Sequence, residues 1–279
     1  MCYIVIRRDA LMDKTIGFIG SGNMGQAMIN GLLKSGIVDA EKVIASAKTE
    51  GTINEVSEKY GIKVYSDNNE LAKRSDYLIL AVKPYMHQEV LEDIRENLKE
   101  GVVVITVGAG ITLDFLKGNL PEGTRYLKAM PNTPAMVGEG MTAIAVDQEF
   151  GNKEMEEILS IFRTFGKVEL VEEAKMDGVT AVAGSSPAYV YMLIEAMADA
   201  AVLQGIQRKQ AYTFAAQAVL GAAKMVLETG IHPGELKDMV CSPGGTTIEA
   251  VTTLEREGFR SAVMEAMKSC ADKSRSMSK

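Results

Sequence analysis

Short apolar runs alternate with amphipathic segments over the first 170 residues. Six of these runs are rich in β-branched residues and bounded by glycine or polar residues, which is typical of buried strands. They are TIGFIG, KVIAS, IKVY, DYLILAV, VVVITV and RYLKAM, and helix-compatible segments separate the first five. Strands and helices in alternation predict βαβ units, with a parallel sheet and helices on both of its faces.

A second pattern begins at about residue 173. Upstream of it, MTAIAVD and KVELVEE predict two more strands, with the helical segment NKEMEEILSIFRTFG between them. Downstream, no segment alternates like a strand, and long Ala- and Met-rich segments are apolar almost all round, as in helices that are buried on most sides. We predict an N-terminal Rossmann-type, doubly wound α/β domain over residues 12–172. An all-helical oligomerisation domain follows over residues 173–279, with a compact monomeric bundle as the alternative.

Composition and charge narrow the range of functions. The chain has 279 residues and a formal net charge of −7, which disfavours a nucleic-acid partner. No apolar stretch reaches the roughly 18 residues of a membrane span, so no membrane is expected as a partner. Cys2, Cys241, Cys270, His87 and His232 are scattered, so we expect no metal site and no histidine-dependent catalysis. Few, dispersed cysteines are typical of the reducing cytoplasm, which is the expected location.

Residues 1–11 stand apart from this pattern. Met12 is followed by DKTIGFIG, which resembles the natural start of a first strand. We interpret residues 1–11 as an upstream extension or an alternative start and assign them no function.

A glycine-rich loop follows the first predicted strand. GFIGSGNMG places Gly20, Gly22 and Gly25 in G-x-G-x-x-G spacing between a strand and a helix. Such glycines allow a tight turn and a close approach of the backbone to a pyrophosphate, which the helix N-terminus binds. The alternative is a βα turn without a ligand.

The end of the second strand indicates which dinucleotide binds. An NAD site usually has an acidic residue there, about 20 residues after the glycine loop, to hold the ribose hydroxyls. Ser46, Lys48 and Thr49 occupy this position, and a cation with two hydroxyls suits a 2′-phosphate. NADPH is therefore favoured, with NADH as the alternative, because Glu50 is close and Lys48 also suits a solvated loop.

Two further loops end predicted parallel strands, where ligands of open α/β sheets collect. Residues 82–84 (Val-Lys-Pro) follow one strand, and residues 108–110 (Gly-Ala-Gly) follow another. Small residues there would let a nicotinamide ring lie against the backbone. Lys83 is expected in the site, with an ordinary surface lysine as the alternative.

A second candidate anion site lies near the end of the chain, in CSPGGTTIEA. Thr246 and Glu249 match a capping box, which makes Thr246 the predicted N-cap and leaves the hydroxyl of Thr247 free. Gly244 and Gly245 would expose backbone N–H groups, so the loop suits a carboxylate. The alternative is a capped helix after a Pro-Gly turn.

GSSPAY at residues 184–189 is a similar arrangement, in which Pro187 suits a first helical turn. An NADPH domain joined to a helical domain with small, hydroxyl-bearing loops suggests hydride transfer to a small carboxylate. The scarcity of histidine favours an imine over a ketone, because an already protonated imine needs no proton donor when the hydride arrives.

From Met12 almost to its end, the chain resembles pyrroline-5-carboxylate reductases. The resemblance is carried by GFIGSGNMG, AVKP, GAGIT, MPNTP, AGSSPAY, GAAKM and LKDMVCSPGGTT with IEAV. It implies reduction of the small imino acid 1-pyrroline-5-carboxylate to L-proline with NAD(P)H, the last step of proline synthesis. It also implies a helical dimerisation domain that interlocks two subunits, and homodimers that assemble into pentamers of dimers.

The resemblance further implies roles for single residues. Thr247, as the catalytic residue, would hydrogen-bond the ring nitrogen, and amides around Gly245 and Thr246 would hold the carboxylate. The expected substrate residues are Glu173, Ser242, Gly244, Gly245, Thr246 and Thr247. The expected cofactor residues are Ile19, Gly20, Ser21, Gly22, Asn23, Met24, Gly25, Ser46, Lys48, Asn68, Ala81, Val82, Lys83, Pro84, Gly108 and Ala109. Ser186 departs from the family pattern GSGPAY, and a positive φ at this position would strain a serine.

Three other functions compete with this interpretation. A β-hydroxyacid dehydrogenase shares the glycine loop, but its catalytic lysine and nearby asparagine are absent from PAYVYMLIEAMADAAVLQG. A reductase of another cyclic imino acid would hold the carboxylate in the same way. A nucleotide-sensing regulator would have little reason to keep SPGGTT.

Overall fold

The computed structural model describes residues 12–277, and the interpretation of residues 1–11 lies outside them. Within the described residues, eight strands form a sheet of order β3-β2-β1-β4-β5-β6-β7-β8. They are β1 (Ile16–Ile19), β2 (Val43–Ser46), β3 (Lys63–Tyr65), β4 (Tyr77–Leu80), β5 (Val103–Thr106), β6 (Arg125–Met130), β7 (Gly140–Ala145) and β8 (Gly166–Leu170). All the strands that the apolar pattern predicts are confirmed.

The sheet is parallel from β1 to β6 and changes direction after that. Strands β1 to β6 pair in parallel, as the alternation of strands and helices predicts. β7 runs antiparallel to β6, and β8 runs parallel to β7. The first six strands therefore form a Rossmann-type sheet to which two strands of opposite direction are added.

Helices cover both faces of this sheet, as predicted. They are α1 (Asn23–Ser35), α2 (Glu50–Tyr60), α3 (Asn68–Ala72), α4 (His87–Ile94), α5 (Leu113–Asn119), α6 (Asn152–Arg163) and α7 (Met176–Val179). One apolar core contains Phe18 of β1 and Phe162 of α6, and a second contains Leu78 of β4 and Leu91 of α4. The alternation of inward side chains along each strand supplies both cores, because successive residues point to opposite faces.

A helical unit follows the sheet. Its helices are α8 (Ser186–Leu203), α9 (Arg208–Thr229), α10 (Pro233–Met239), α11 (Thr246–Arg256) and α12 (Phe259–Met277). The contacts between residues divide the chain into two compact units. One contains the residues up to 184 and those from 270 onward, and the other contains residues 185–269. The last residues of α12 thus belong with the sheet. The domain boundary between residues 172 and 173 stays a prediction.

The start of α8 agrees with its sequence signals. Pro187 lies in the first helical turn, as predicted. Among the described residues, no residue other than glycine has a positive φ, so Ser186 is not strained by a left-handed backbone.

Candidate cofactor site and substrate loop

The carboxyl ends of four parallel strands form one row at an edge of the sheet. Ile19 of β1 is in register with Ser46 of β2 and with Leu80 of β4. Leu80 is in turn in register with Thr106 of β5. The row brings the glycine loop, the loop with Lys48 and the two loops of small residues to the edge where ligands of such sheets bind.

Two of the three loop glycines after β1 have a steric reason within the protein, and the third borders open space. Gly20 has a φ of 101°, and a Cβ there would lie 2.9 Å from the backbone of Ala81. A Cβ on Gly25 would lie 2.4 Å from the carbonyl oxygen of Gly20, so α1 packs directly against the loop. Gly22 is the N-cap of α1, and nothing lies within 4 Å of a Cβ built there. The open space beside the first amides of α1 fits a pyrophosphate.

A cleft of about 350 Å³ opens beside this loop. It brings together the predicted residues Ile19, Gly20, Ser46, Lys48, Asn68 and Val82. The hydroxyl of Ser46 donates to Asn68 Oδ1 at 2.8 Å, and the hydroxyl of Ser21 donates to the Ser46 carbonyl at 2.9 Å. These bonds hold the wall of the cleft. The cleft is also lined by Asp67, Glu89 and Asp93, which were not predicted. These acidic residues follow other strands and belong to no recognisable motif.

The residues predicted to bind a 2′-phosphate have different surroundings. Lys48 is exposed at the cleft, and its Nζ lies 3.9 Å from Glu89 Oε1. Thr49 is the N-cap of α2, where its hydroxyl oxygen accepts from the N–H of Thr52 at 3.2 Å. The hydroxyl of Thr49 is thus already used within α2, and Lys48 is the cation that a phosphate in this cleft would meet.

The loops after β4 and β5 meet the end of α12. Lys83 is exposed and is the N-cap of the short 3₁₀ helix Pro84–Met86. A cavity of about 340 Å³ is lined by Pro84, Ala109 and Met277, among others. A Cβ on Gly110 would lie 3.2 Å from the Met277 carbonyl oxygen. No motif in the sequence indicates that the last turn of α12 lies against the predicted nicotinamide loop.

Glu173 lies in the short helix Glu173–Lys175 within the sheet unit. Its Oε1 accepts a hydrogen bond of 2.7 Å from the N–H of Leu113, at the start of α5. Burial lowers the pKa of Lys128 in β6, and the negative charges of Glu173 and Asp177 oppose this shift. The carboxylate of Glu173 therefore has structural partners of its own, and its contact with substrate stays a prediction.

The predicted substrate loop precedes α11. The N–H of Gly245 donates to the Ser242 carbonyl at 3.0 Å, and Gly244 has a φ of 67°. With Pro243 before it, this is the pattern of a type II turn. The third residue of such a turn needs a positive φ, which glycine adopts without strain. Helix α11 begins at Thr246, with Gly245 as its N-cap and no side-chain capping bond. The predicted capping box is wrong, because the turn brings the backbone into the helix one residue earlier.

The amides at this helix start differ from the prediction in one respect. The N–H of Gly245 is not free, since it closes the turn. Within residues 12–277, the amides of Thr246 and Thr247 have no hydrogen-bond acceptor. Both lie in the first turn of a helix of 11 residues, whose N-terminus attracts anions. The loop therefore offers two backbone donors and the half-buried hydroxyl of Thr247.

The helical unit exposes large apolar side chains. Tyr191 and Met192 of α8 are 61% and 69% exposed, and Phe214 of α9 is 61% exposed. Large apolar side chains exposed in such number on neighbouring helices mark protein–protein contacts. It favours an oligomerisation domain over the compact monomeric bundle.

The described part of the chain contains neither a cluster of metal ligands nor a membrane-spanning helix. In residues 12–277, no group of three or more His, Cys, Asp or Glu side chains could hold a metal ion. Across the same residues, no helix has both the length and the apolar character needed to cross a membrane.

Known proteins resemble this chain over nearly its full length. Residues 173–277 match the family model for pyrroline-5-carboxylate reductase dimerisation, and residues 15–110 match that for NADP oxidoreductase, coenzyme F420-dependent. A pyrroline-5-carboxylate reductase of Escherichia coli (strain K12) is 49% identical over 268 residues, which are 96% of this chain and 100% of the relative.

Solved structures give the same result. A pyrroline-5-carboxylate reductase from Coxiella burnetii superposes with a TM-score of 0.89 at 32% identity, covering 95% of this chain and 99% of the other. Plasmodium falciparum pyrroline carboxylate reductase with NADP bound superposes with a TM-score of 0.86 at 30% identity, covering 96% and 100%.

Proposed function

Because the chain belongs to the pyrroline-5-carboxylate reductase family, we propose that it reduces 1-pyrroline-5-carboxylate to L-proline with NADPH, the last step of proline biosynthesis. The observation that carries the proposal is 49% identity to such an enzyme over 96% of the chain. When bound, the reduced nicotinamide would supply the hydride that adds to the imine carbon, and the ring nitrogen would already carry a proton taken from water. The proposed function is tested by measuring the oxidation of NADPH by the purified protein in the presence of the imine.

The loop at residues 242–247 is proposed to hold the substrate. The amides of Thr246 and Thr247 at the positive end of α11 suit its carboxylate, and the Thr247 hydroxyl suits its ring nitrogen. Ser242 and Gly244 shape the turn that presents these donors. Glu173 is proposed as a further substrate residue, with one carboxylate oxygen already bonded to the α5 backbone.

The row of strand ends is proposed to hold the cofactor. The open space over Gly22 and the first amides of α1 support a pyrophosphate site. The cleft at Ser46, Lys48 and Asn68 supports a place for the adenosine ribose and its 2′-phosphate. The small residues after β4 and β5 support a place for the nicotinamide.

Lys48→Ala is expected to weaken NADPH binding roughly fivefold, because an exposed ion pair contributes about 1 kcal/mol. NADH lacks the 2′-phosphate, so its affinity is expected to stay unchanged. Dissociation constants of both dinucleotides, measured by fluorescence titration, check this. An equal loss for the two would mean that Lys48 does not recognise the 2′-phosphate.

Glu89→Gln is the matched control for Lys48. The Glu89 carboxylate lies 3.9 Å from the Lys48 ammonium at the same cleft. Removal of this negative charge is expected to strengthen NADPH binding, opposite in sign to Lys48→Ala. The same sign for both variants would indicate a general disturbance of the cleft.

The matched dimerisation model and the exposed apolar side chains of α8 and α9 indicate an oligomer. We propose homodimers formed through the helical unit, which assemble further into pentamers of dimers. Apolar residues spread round most of α8 and α9 support an interlocked interface, since one chain leaves them exposed.

Phe214→Glu is expected to weaken subunit association by about thirtyfold or more, as for a central aromatic residue of an interface. Sedimentation velocity over a dilution series measures the change. Lys209→Glu is the control, because it adds negative charge to the same helix without removing apolar area. The oligomer of this variant is expected to dissociate far less. Equal dissociation in both variants would contradict an apolar interface at Phe214.

A cytoplasmic location is also proposed. The three cysteines are dispersed along the chain, and in the described residues Cys241 forms no disulfide. A reducing compartment suits such a protein.

A further inference from the structure

His87 is a fully buried histidine at the start of α4, between the loops that follow β4 and β5. Its Nδ1 lies 3.2 Å from the Lys83 carbonyl oxygen, and its Nε2 lies 2.9 Å from Thr106 Oγ1. The N–H of Gly108 donates to the same Thr106 oxygen at 3.1 Å. One imidazole ring therefore connects the two loops that are proposed to flank the nicotinamide.

The directions of these bonds follow from which atoms can donate. A carbonyl oxygen only accepts, so Nδ1 of His87 carries the proton donated to Lys83. The Nε2 of a neutral ring is then an acceptor, and the Thr106 hydroxyl donates to it while accepting from Gly108. Three hydrogen bonds thus run in one direction, from Gly108 through Thr106 and His87 to Lys83.

Packing and charge both favour this arrangement. A Cβ on Gly108 would lie 2.7 Å from Cε1 of His87, so the loop backbone touches the edge of the ring. Burial lowers the pKa of His87, while hydrogen bonds with the backbone of Lys83 and Pro84 act in the opposite direction. The ring is therefore neutral at pH 7, as the hydrogen-bond directions require.

We propose that His87 is a positioning residue, which fixes the separation of the Lys83 loop and the Gly108 loop and thereby shapes the place of the nicotinamide ring. The proposal rests on the proposed function, in which both loops line the cofactor. His87 is itself fully buried, so it acts through the backbone of Lys83 and Gly108.

The test compares two ligands that occupy different parts of the site. 2′,5′-ADP carries only the adenosine half of the cofactor, whereas NADPH also carries the nicotinamide. Calorimetric titration of the purified oligomer gives both dissociation constants. His87→Leu and Thr106→Val remove the hydrogen bonds with little change of volume, and Thr106→Ser keeps the hydroxyl.

His87→Leu and Thr106→Val are expected to weaken NADPH binding by about tenfold to a hundredfold, as a displaced loop would. Their affinity for 2′,5′-ADP should stay at the wild-type value, and Thr106→Ser should bind NADPH like the wild type. Equal losses for the two ligands, or no loss for NADPH, would overturn the proposal. If His87→Leu does not fold, the two Thr106 variants decide the question.

The wild-type protein provides an independent check. Nitrogen-15 NMR of the His87 ring should show a protonated Nδ1 and an unprotonated Nε2 at pH 7, and the opposite tautomer would overturn the proposal. Both experiments measure binding or protonation. A failure to form proline would therefore count against the proposed reaction and not against the role of His87.

Discussion

Thr247→Ala is expected to lower kcat by about tenfold to a thousandfold, by analogy with the loss of one oriented donor in a catalytic site. The hydroxyl of Thr247 lies in the first turn of α11, beside two amides without an acceptor in the described residues. The variant should bind NADPH with unchanged affinity, because Thr247 belongs to the loop proposed for the substrate. Steady-state kinetics and a separate NADPH titration measure the two quantities.

Two variants control for effects on α11 itself. Thr247→Ser keeps the hydroxyl and should recover most of the activity. Thr252→Ala removes an exposed hydroxyl that bonds to the Ile248 carbonyl of the same helix, and it should leave kcat unchanged. If Thr247→Ala kept the wild-type kcat, Thr247 would have no part in the reaction.

Gly22→Ala is expected to weaken NADPH binding by about tenfold to a hundredfold, since hydrogen bonds to a charged group contribute about 1.5–3 kcal/mol. No protein atom lies within 4 Å of a Cβ at Gly22, so the added methyl group would occupy only the space that we propose for the pyrophosphate. The free energy of unfolding should fall by no more than about 1 kcal/mol, because the φ of −77° is open to alanine and the only cost is that alanine is a poorer N-cap than glycine.

Gly118→Ala is the matched control for Gly22→Ala. Gly118 lies in α5, and a Cβ there also meets no atom within 4 Å. NADPH affinity and thermal unfolding should both remain near wild type or improve slightly, since alanine favours a helix. Wild-type NADPH affinity in Gly22→Ala would move the pyrophosphate away from the start of α1.

The sheet, and the edge at which its parallel strands end, could be predicted because they depend on local patterns. Short β-branched runs identify each strand, and parallel strands joined by helices bring their carboxyl ends to one edge. The glycine loop and the loop with Lys48 were placed at that edge from the sequence alone, and the register of Ile19 with Ser46 agrees. The reversal at β7 was not predicted, because no local signal distinguishes a returning strand.

Features that depend on tertiary contacts could not be predicted from the sequence. The hydrogen bonds of His87 require the register that sets Thr106 at the end of β5, and nothing near His87 in the sequence shows this. The contact of Met277 with the Gly110 loop joins residues far apart in the chain. The predicted N-cap at Thr246 was wrong for a local reason. The same residues are compatible with a Pro-Gly-Gly turn and with a capping box, and the backbone conformation shows that the turn forms.

The most direct test of the proposed function is the rate at which the purified protein oxidises NADPH, followed by the loss of absorbance of the reduced nicotinamide. The substrates are 1-pyrroline-5-carboxylate and a panel of other cyclic imines and β-hydroxyacids. We expect rapid oxidation with 1-pyrroline-5-carboxylate, with L-proline as the product, and little with the others. No oxidation with 1-pyrroline-5-carboxylate but clear activity on another imine would contradict the substrate assignment.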